Sequence, residues 1–376
     1  MDGSQMQQVE PLYTSRQRMQ IAMSGQCPDR IPTMPQICYP HAVHILCEDY
    51  RLGIKEVTEK PQRAYELILE IAQRYAVDGL RLFVTPEPYR VVEHQEELIA
   101  LDRQTGTRVG RVDLFGGGAV ILDEPEIWIE NAQDLKKIPR PQCFDILQTR
   151  SLLELKETVI LAHKLDFFVA SSPPAFTMNY LSRVRGRERA LMDLMTNPDL
   201  VKQILEVALS QAIEHARALV HCGVDALYIG DPSASASLIS PKHFEEFCLP
   251  FYQAFCSELH REDILIYLHI CGNSTPILEM MADTGADCIE PLDPLGGVKV
   301  SNAKERIGNR VALMGGVNTI TLLEGRAEDV YEEAIACCRS GGQGGGYILA
   351  AGDMVPDFTP EVNVQALIRA AREFTY

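Results

Sequence analysis

No apolar run in this 376-residue chain approaches the roughly 20 residues that cross a bilayer. The start, Met1-Asp-Gly-Ser-Gln-Met-Gln-Gln, does not have the look of a signal peptide. A cytoplasmic protein with no membrane contact is expected. Positive charge is also scarce: 35 Lys and Arg stand against 52 Asp and Glu, a net charge of −17. Phosphate contacts need clustered cations, so nucleic acid is excluded and the partner is expected to be small, neutral or protein. A disulfide framework is missing too. The eleven cysteines are scattered singly apart from Cys337-Cys338 and the pair Cys38 and Cys47, so most are expected as reduced core residues. What is present is ordinary globular composition, 46% apolar and 23% charged, enough for one large core or two medium ones.

The chain opens with an N-terminal extension over residues 1–25, a polar tail and then a short helix from Ser15 to Ser24 that stops at the turn Gly25-Gln-Cys-Pro28. Arg30-Ile-Pro-Thr-Met-Pro-Gln-Ile37 reads as a first strand in spite of two prolines. A helix from Pro61 to Ala76 leads to a second strand, Asp78-Gly-Leu-Arg-Leu-Phe-Val84. Alternation with glycine turns then predicts a β-hairpin insertion over 85–125. From there short apolar strands alternate with helix-length segments, and the strands are expected at 166–172, 226–231, 264–272, 287–291, 311–317 and 347–353. Eight β-then-α units of this kind predict an α/β fold, a single (β/α)8 TIM barrel spanning 1–376, with its active site at the carboxyl ends of the strands. A doubly wound sheet is the alternative.

The run Ile264-Leu-Ile-Tyr-Leu-His-Ile-Cys-Gly272 carries the sharpest chemical signal. Residues i and i+2 of a strand share a face, so the His269 imidazole and the Cys271 thiol converge, forming half of a zinc site. Asp353, after the last strand, could supply the third ligand; Cys288 and Glu290, on one face of the sixth strand, are the alternatives. Asp231, in Gly230-Asp-Pro-Ser, either orients substrate, acts as a base or caps its turn. Phe83, Tyr89, Phe176, Met178 and Tyr180 follow the second and third strands and either wall a ring-accepting pocket or belong to the core. His41 and His44 could reach the same mouth. The glycine cluster Gly341–Gly346 precedes a strand and opens no helix, which reads as a flexible turn rather than a phosphate loop.

Three stretches carry a family resemblance: Gly230-Asp-Pro-Ser with Leu238-Ile-Ser-Pro-Lys-His-Phe244, Val311-Ala-Leu-Met-Gly-Gly-Val-Asn-Thr319, and Gly352-Asp-Met-Val-Pro-Asp-Phe-Thr-Pro-Glu-Val-Asn-Val-Gln-Ala-Leu367. They resemble the uroporphyrinogen decarboxylase superfamily, in its cobamide-dependent methyltransferase branch, from about residue 12 onward and most strongly after residue 220. The resemblance implies a (β/α)8 barrel. It does not imply porphyrinogen decarboxylation, because Ile31–Pro40 has no arginine after Arg30 to grip tetrapyrrole carboxylates. In the family's thiol methyltransferases zinc is held by His-x-Cys and a distal Cys. His269 and Cys271 match the first two, but Gly352-Asp353 stands where the family has Gly-Cys. A carboxylate leaves zinc harder and more Lewis acidic than a thiolate would. The resemblance, with this departure, implies an O-demethylase component: zinc at His269, Cys271 and Asp353, and a methoxylated, aromatic substrate. Glu290 or Asp231 would orient the substrate or manage its proton. The chain has no Asp-x-His-x-x-Gly motif, so the cobamide is expected on a separate corrinoid protein. Methyl transfer from a methylcobamide to a thiol or pterin, and a metal-free binding barrel, are the competing expectations; a homodimer is compatible with each.

Overall fold

The structure, a computed structural model, describes residues 12–114, 118–123 and 127–376. Seven parallel strands, β1 (Gly79–Arg81), β6 (Phe168–Ser171), β7 (Ala226–Gly230), β8 (Leu265–His269), β9 (Cys288–Leu292), β10 (Ala312–Val317) and β11 (Tyr347–Ala351), lie side by side in that order. Short apolar strands joined by helices can pair only in parallel, since each helix returns the chain to the same end of the sheet.

The eighth position is filled by the segment around Thr33. It forms a single parallel bridge to Leu349. The Leu349 amide donates to the Pro32 carbonyl at 2.9 Å, and on the other side the Asp78 and Gly79 amides donate to the Thr33 carbonyl at 2.9 and 3.2 Å. Pro32 and Pro35 have no N–H to offer a ladder, so the predicted first strand shrinks to this bridge while still closing the ring. Asp78 holds the seam from below: its buried carboxylate accepts from Arg18 Nη1 at 2.8 Å, Arg30 Nη2 at 2.7 Å and the Thr33 amide at 2.9 Å. A barrel of the expected class is therefore present.

Inward side chains form one cluster, including Phe168, Ala226, Tyr228, Tyr267, Cys288, Met314 and Ile348. The helix Ser15–Met23, started by a Thr14–Gln17 capping box, joins it through Met19, Ala22 and Met23. It contacts β1, β6, β10 and β11 and so closes off the barrel. A larger cluster packs the outward strand faces against the helices.

Between β1 and β6 the chain forms a separate antiparallel sheet. Among the described residues it has four strands, β2 (Arg90–His94), β3 (Glu97–Leu101), β4 (Arg108–Val112) and β5 (Val120–Leu122), paired in sequence order. The hairpin insertion predicted over 85–125 takes the form of this four-stranded sheet. Gln95 and Glu96, both with positive φ, make the two-residue turn whose twist suits paired strands.

His41 is fully buried on the helix Tyr39–Leu46, with Nε2 2.9 Å from the Tyr75 hydroxyl and Nδ1 3.2 Å from the Asp357 carbonyl. Burial pushes its imidazole down to about 4, which the Asp357 carbonyl opposes and His44 reinforces. The unfolded chain takes up this proton near 6.5, so the contribution is fully present above that pH and is lost as pH falls towards 4. His41→Gln is expected to remove about 3 kcal/mol of pH dependence between pH 6.5 and 4, read from urea unfolding of both proteins at several pH values.

Candidate metal centre

His269 ends β8, and the Cys271–Gly272 turn follows it. Gly272 has φ +80° and lies against Ser235 and Ser237, so a side chain there would be strained as well as crowded. Its amide donates to Asp293 Oδ2 at 2.9 Å, and the Asn273 amide donates to Ser237 Oγ at 3.0 Å. Loops after β7 and β9 thus brace the turn that presents Cys271. Asp353 follows β11, its Oδ1 accepting from the Met354 amide at 2.8 Å. Ligand atoms of His269, Cys271 and Asp353 all lie within 4.8 Å of one another, the only such group among the described residues.

The chemistry of the donors fits a metal ion. Glu290, fully buried on β9, accepts from Arg81 Nη2 at 2.7 Å and from His269 Nδ1 at 2.5 Å. Burial would raise its carboxyl, but Arg81 and then His269 hold it down to about 2. Being ionised it can only accept, so the proton of neutral His269 sits on Nδ1 and the Nε2 lone pair is left free. Nε2 lies 3.6 Å from Asp353 Oδ1, too far for a hydrogen bond. That is close to the roughly 3.4 Å between two tetrahedral ligands each about 2.1 Å from zinc. Burial, reinforced by Asp353, pushes the Cys271 thiol up to about 12, so ionising it calls for a cation.

The predicted residues separate into distinct groups. Glu290 stands behind His269 as its orienting partner, and Cys288 lies in the inward cluster. The Asp231 carboxylate is buried and accepts from Thr177 Oγ1, from the Asn179 amide at 2.9 Å and from the Tyr252 hydroxyl at 3.0 Å. Burial raises it to about 6 against these bonds, and its geometry ties the loop after β6 to β7. His44 sits edge-on to Phe358, outside the metal cluster.

A cavity of about 530 Å³ adjoins the centre, lined by Arg81 and Met354 at that end and by Phe83 and Tyr89 along its walls. Phe176 instead stacks on Phe255 at 4.8 Å and Met178 is fully buried, so both serve the core. Tyr180 lines a separate depression with Asn179 and Arg183. Arg81, Tyr39 and Tyr65 are functional candidates that pattern reading missed. For Arg81 a signal existed: it is a charged residue inside an apolar strand, on the same face as Phe83.

Replacing Phe83 with Ala is expected to raise the KM for a ring substrate by about tenfold, since a lost aromatic wall is worth about 1–2 kcal/mol, and to leave metal content as it was. Steady-state kinetics with metal analysis of the same sample checks this.

The uroporphyrinogen decarboxylase (URO-D) family model matches residues 122–374, well over half of the chain. A methylcobamide:CoM methyltransferase MtaA of Methanosarcina barkeri is 34% identical over 177 residues, 47% of this chain. The match spans only half the length of that relative. A methylcobamide:CoM methyltransferase MtbA of Methanosarcina mazei is 31% identical over 268 residues, 70% of this chain and 77% of its own. A solved methyltransferase from Methanosarcina mazei has the same fold, with a TM-score of 0.73 at 24% identity over 96% of this chain and 99% of its own. The chain belongs to the uroporphyrinogen decarboxylase family, in the branch that holds these methylcobamide:CoM methyltransferases.

Proposed function

We propose that the protein is a zinc-dependent methyltransferase that passes a methyl group from a methoxylated aromatic compound to the cobalt of a separate corrinoid protein. The observation that carries this reading is a His–Cys–Asp cluster together with an apolar, aromatic-walled cavity whose lining includes Met354, next to Asp353, and Arg81, which is bonded to the Glu290 that holds His269. Zinc held by His269, Cys271 and Asp353 would supply Lewis acidity towards an ether oxygen. Phe83 and Tyr89 would hold the ring and keep water off it. Glu290 would keep His269 in the tautomer that offers Nε2, and Arg81 would hold Glu290 ionised. In the transfer the methyl–oxygen bond breaks and a methyl–cobalt bond forms, both electrons coming from Co(I). The phenolate that leaves takes its proton from solvent. Among the described residues no helix is long and apolar enough to cross a membrane.

The test is to mix metal-loaded protein, a reduced corrinoid protein and a panel of methoxyarenes, and to follow the change from Co(I) to methyl-Co(III). Turnover with a methoxyarene supports the reading, and silence with every donor contradicts it. Transfer to a thiol is the second reading, favoured by the names of the relatives, methylcobamide:CoM methyltransferases. It predicts methyl loss from a methylated corrinoid protein on adding a thiol.

A further inference from the structure

The cavity is built by a different part of the chain from the centre it adjoins. His269, Cys271, Glu290 and Asp353 lie inside the family match, which begins at residue 122. The cavity lining runs from Ile37 to Leu122, with Met354 its one contributor from the rest of the chain. Helices over Tyr50–Glu59 and Arg63–Tyr75 supply Val57, Tyr65 and Ile68, and the inserted sheet closes the other side with Val120 and Leu122.

Among the described lining residues the single charged side chain is Arg81. Its charge is already answered by Glu290, which takes Nη2. The guanidinium lies over the rings of Tyr228 and Tyr267, at 4.6 and 5.3 Å from their centroids. Nε and Nη1 are buried beside these rings, where the Tyr267 hydroxyl acts on the guanidinium, and do not reach the cavity surface. An anion would gain little here. It would shed its hydration against a neutral ion pair and an apolar wall; at Cys38 on this lining, burial disfavours a negative charge most strongly, Arg81 favours it, and Asp357 and Asp353 oppose Arg81.

We propose that the cavity formed by residues 37–122 selects a neutral, ring-bearing ligand and rejects anionic counterparts. This names the substrate class for the proposed methyl transfer and rests on that reading for its role. Specificity is then set by the amino-terminal third and the inserted sheet, on a centre placed by the part of the chain that the family model matches.

Calorimetric titration of the full-length protein, with no metal and no corrinoid protein added, separates this claim from methyl transfer itself. The probes are 4-methoxybenzamide, 4-methoxybenzoate at pH 8, and 4-methylanisole. The amide and 4-methylanisole are each expected to bind at least about tenfold more tightly than the benzoate, because both are uncharged. In Ala64→Trp, which fills the cavity from the helix wall, amide affinity is expected to fall by about tenfold or more. Should that variant fail to fold, the comparison of the three probes on unaltered protein still decides. Benzoate binding as tightly as either neutral probe would overturn the proposal.

Discussion

His269→Ala is expected to lose its bound metal and to lower methyl-transfer turnover by about 10³-fold or more. A Lewis acid supplies several kcal/mol of stabilisation to a departing oxyanion, and each 1.4 kcal/mol is tenfold in rate. The imidazole would supply the ligand whose free lone pair is set by the buried Glu290 carboxylate. The substitution removes a buried ring at the end of a strand, so circular dichroism and thermal unfolding belong beside the metal assay. A variant that folds, keeps its metal and turns over normally would remove His269 from the centre.

Glu290→Leu is expected to destabilise the fold by about 3–5 kcal/mol, because it leaves the Arg81 guanidinium charged and buried with no counter-ion. The double variant Arg81→Met, Glu290→Leu replaces the pair with apolar side chains of similar volume and is expected to recover most of that loss. Metal affinity follows a different pattern. Both variants are expected to bind metal about 10–100-fold more weakly, since neither holds His269 by Nδ1. Chemical denaturation and metal titration of the single and double variants separate the two roles. Recovery of metal affinity together with stability in the double variant would make Glu290 a packing residue only.

The barrel was legible because its signal is local and repeated: apolar strands, helix-length spacers and polar strand ends follow from the period of each element. The pair His269 and Cys271 was legible for the same reason, being two residues apart where a strand ends, although β8 stops at His269 and Cys271 sits in the turn beyond it. Asp353 depended on the ends of β8 and β11 meeting at one rim, three strands apart in the curved sheet.

What pattern could not show was which groups meet across the barrel. Glu290 and Arg81 are 209 residues apart in sequence, and only the curvature of the sheet puts them 2.7 Å apart. Asp231 looks the same in sequence as a catalytic carboxylate, but its hydrogen bonds run to Thr177, Asn179 and Tyr252. Phe176 and Met178 illustrate the limit of aromatic and apolar cues. Their loop turns them into the core, whereas Phe83 and Tyr89 face the cavity.

The most direct test of the metal centre is elemental analysis of protein purified without chelator and then equilibrated with zinc, for the unaltered chain and for His269→Ala. One zinc per chain in the former and much less in the latter is the predicted result. No stoichiometric zinc in the unaltered protein, or equal zinc in both, would contradict it.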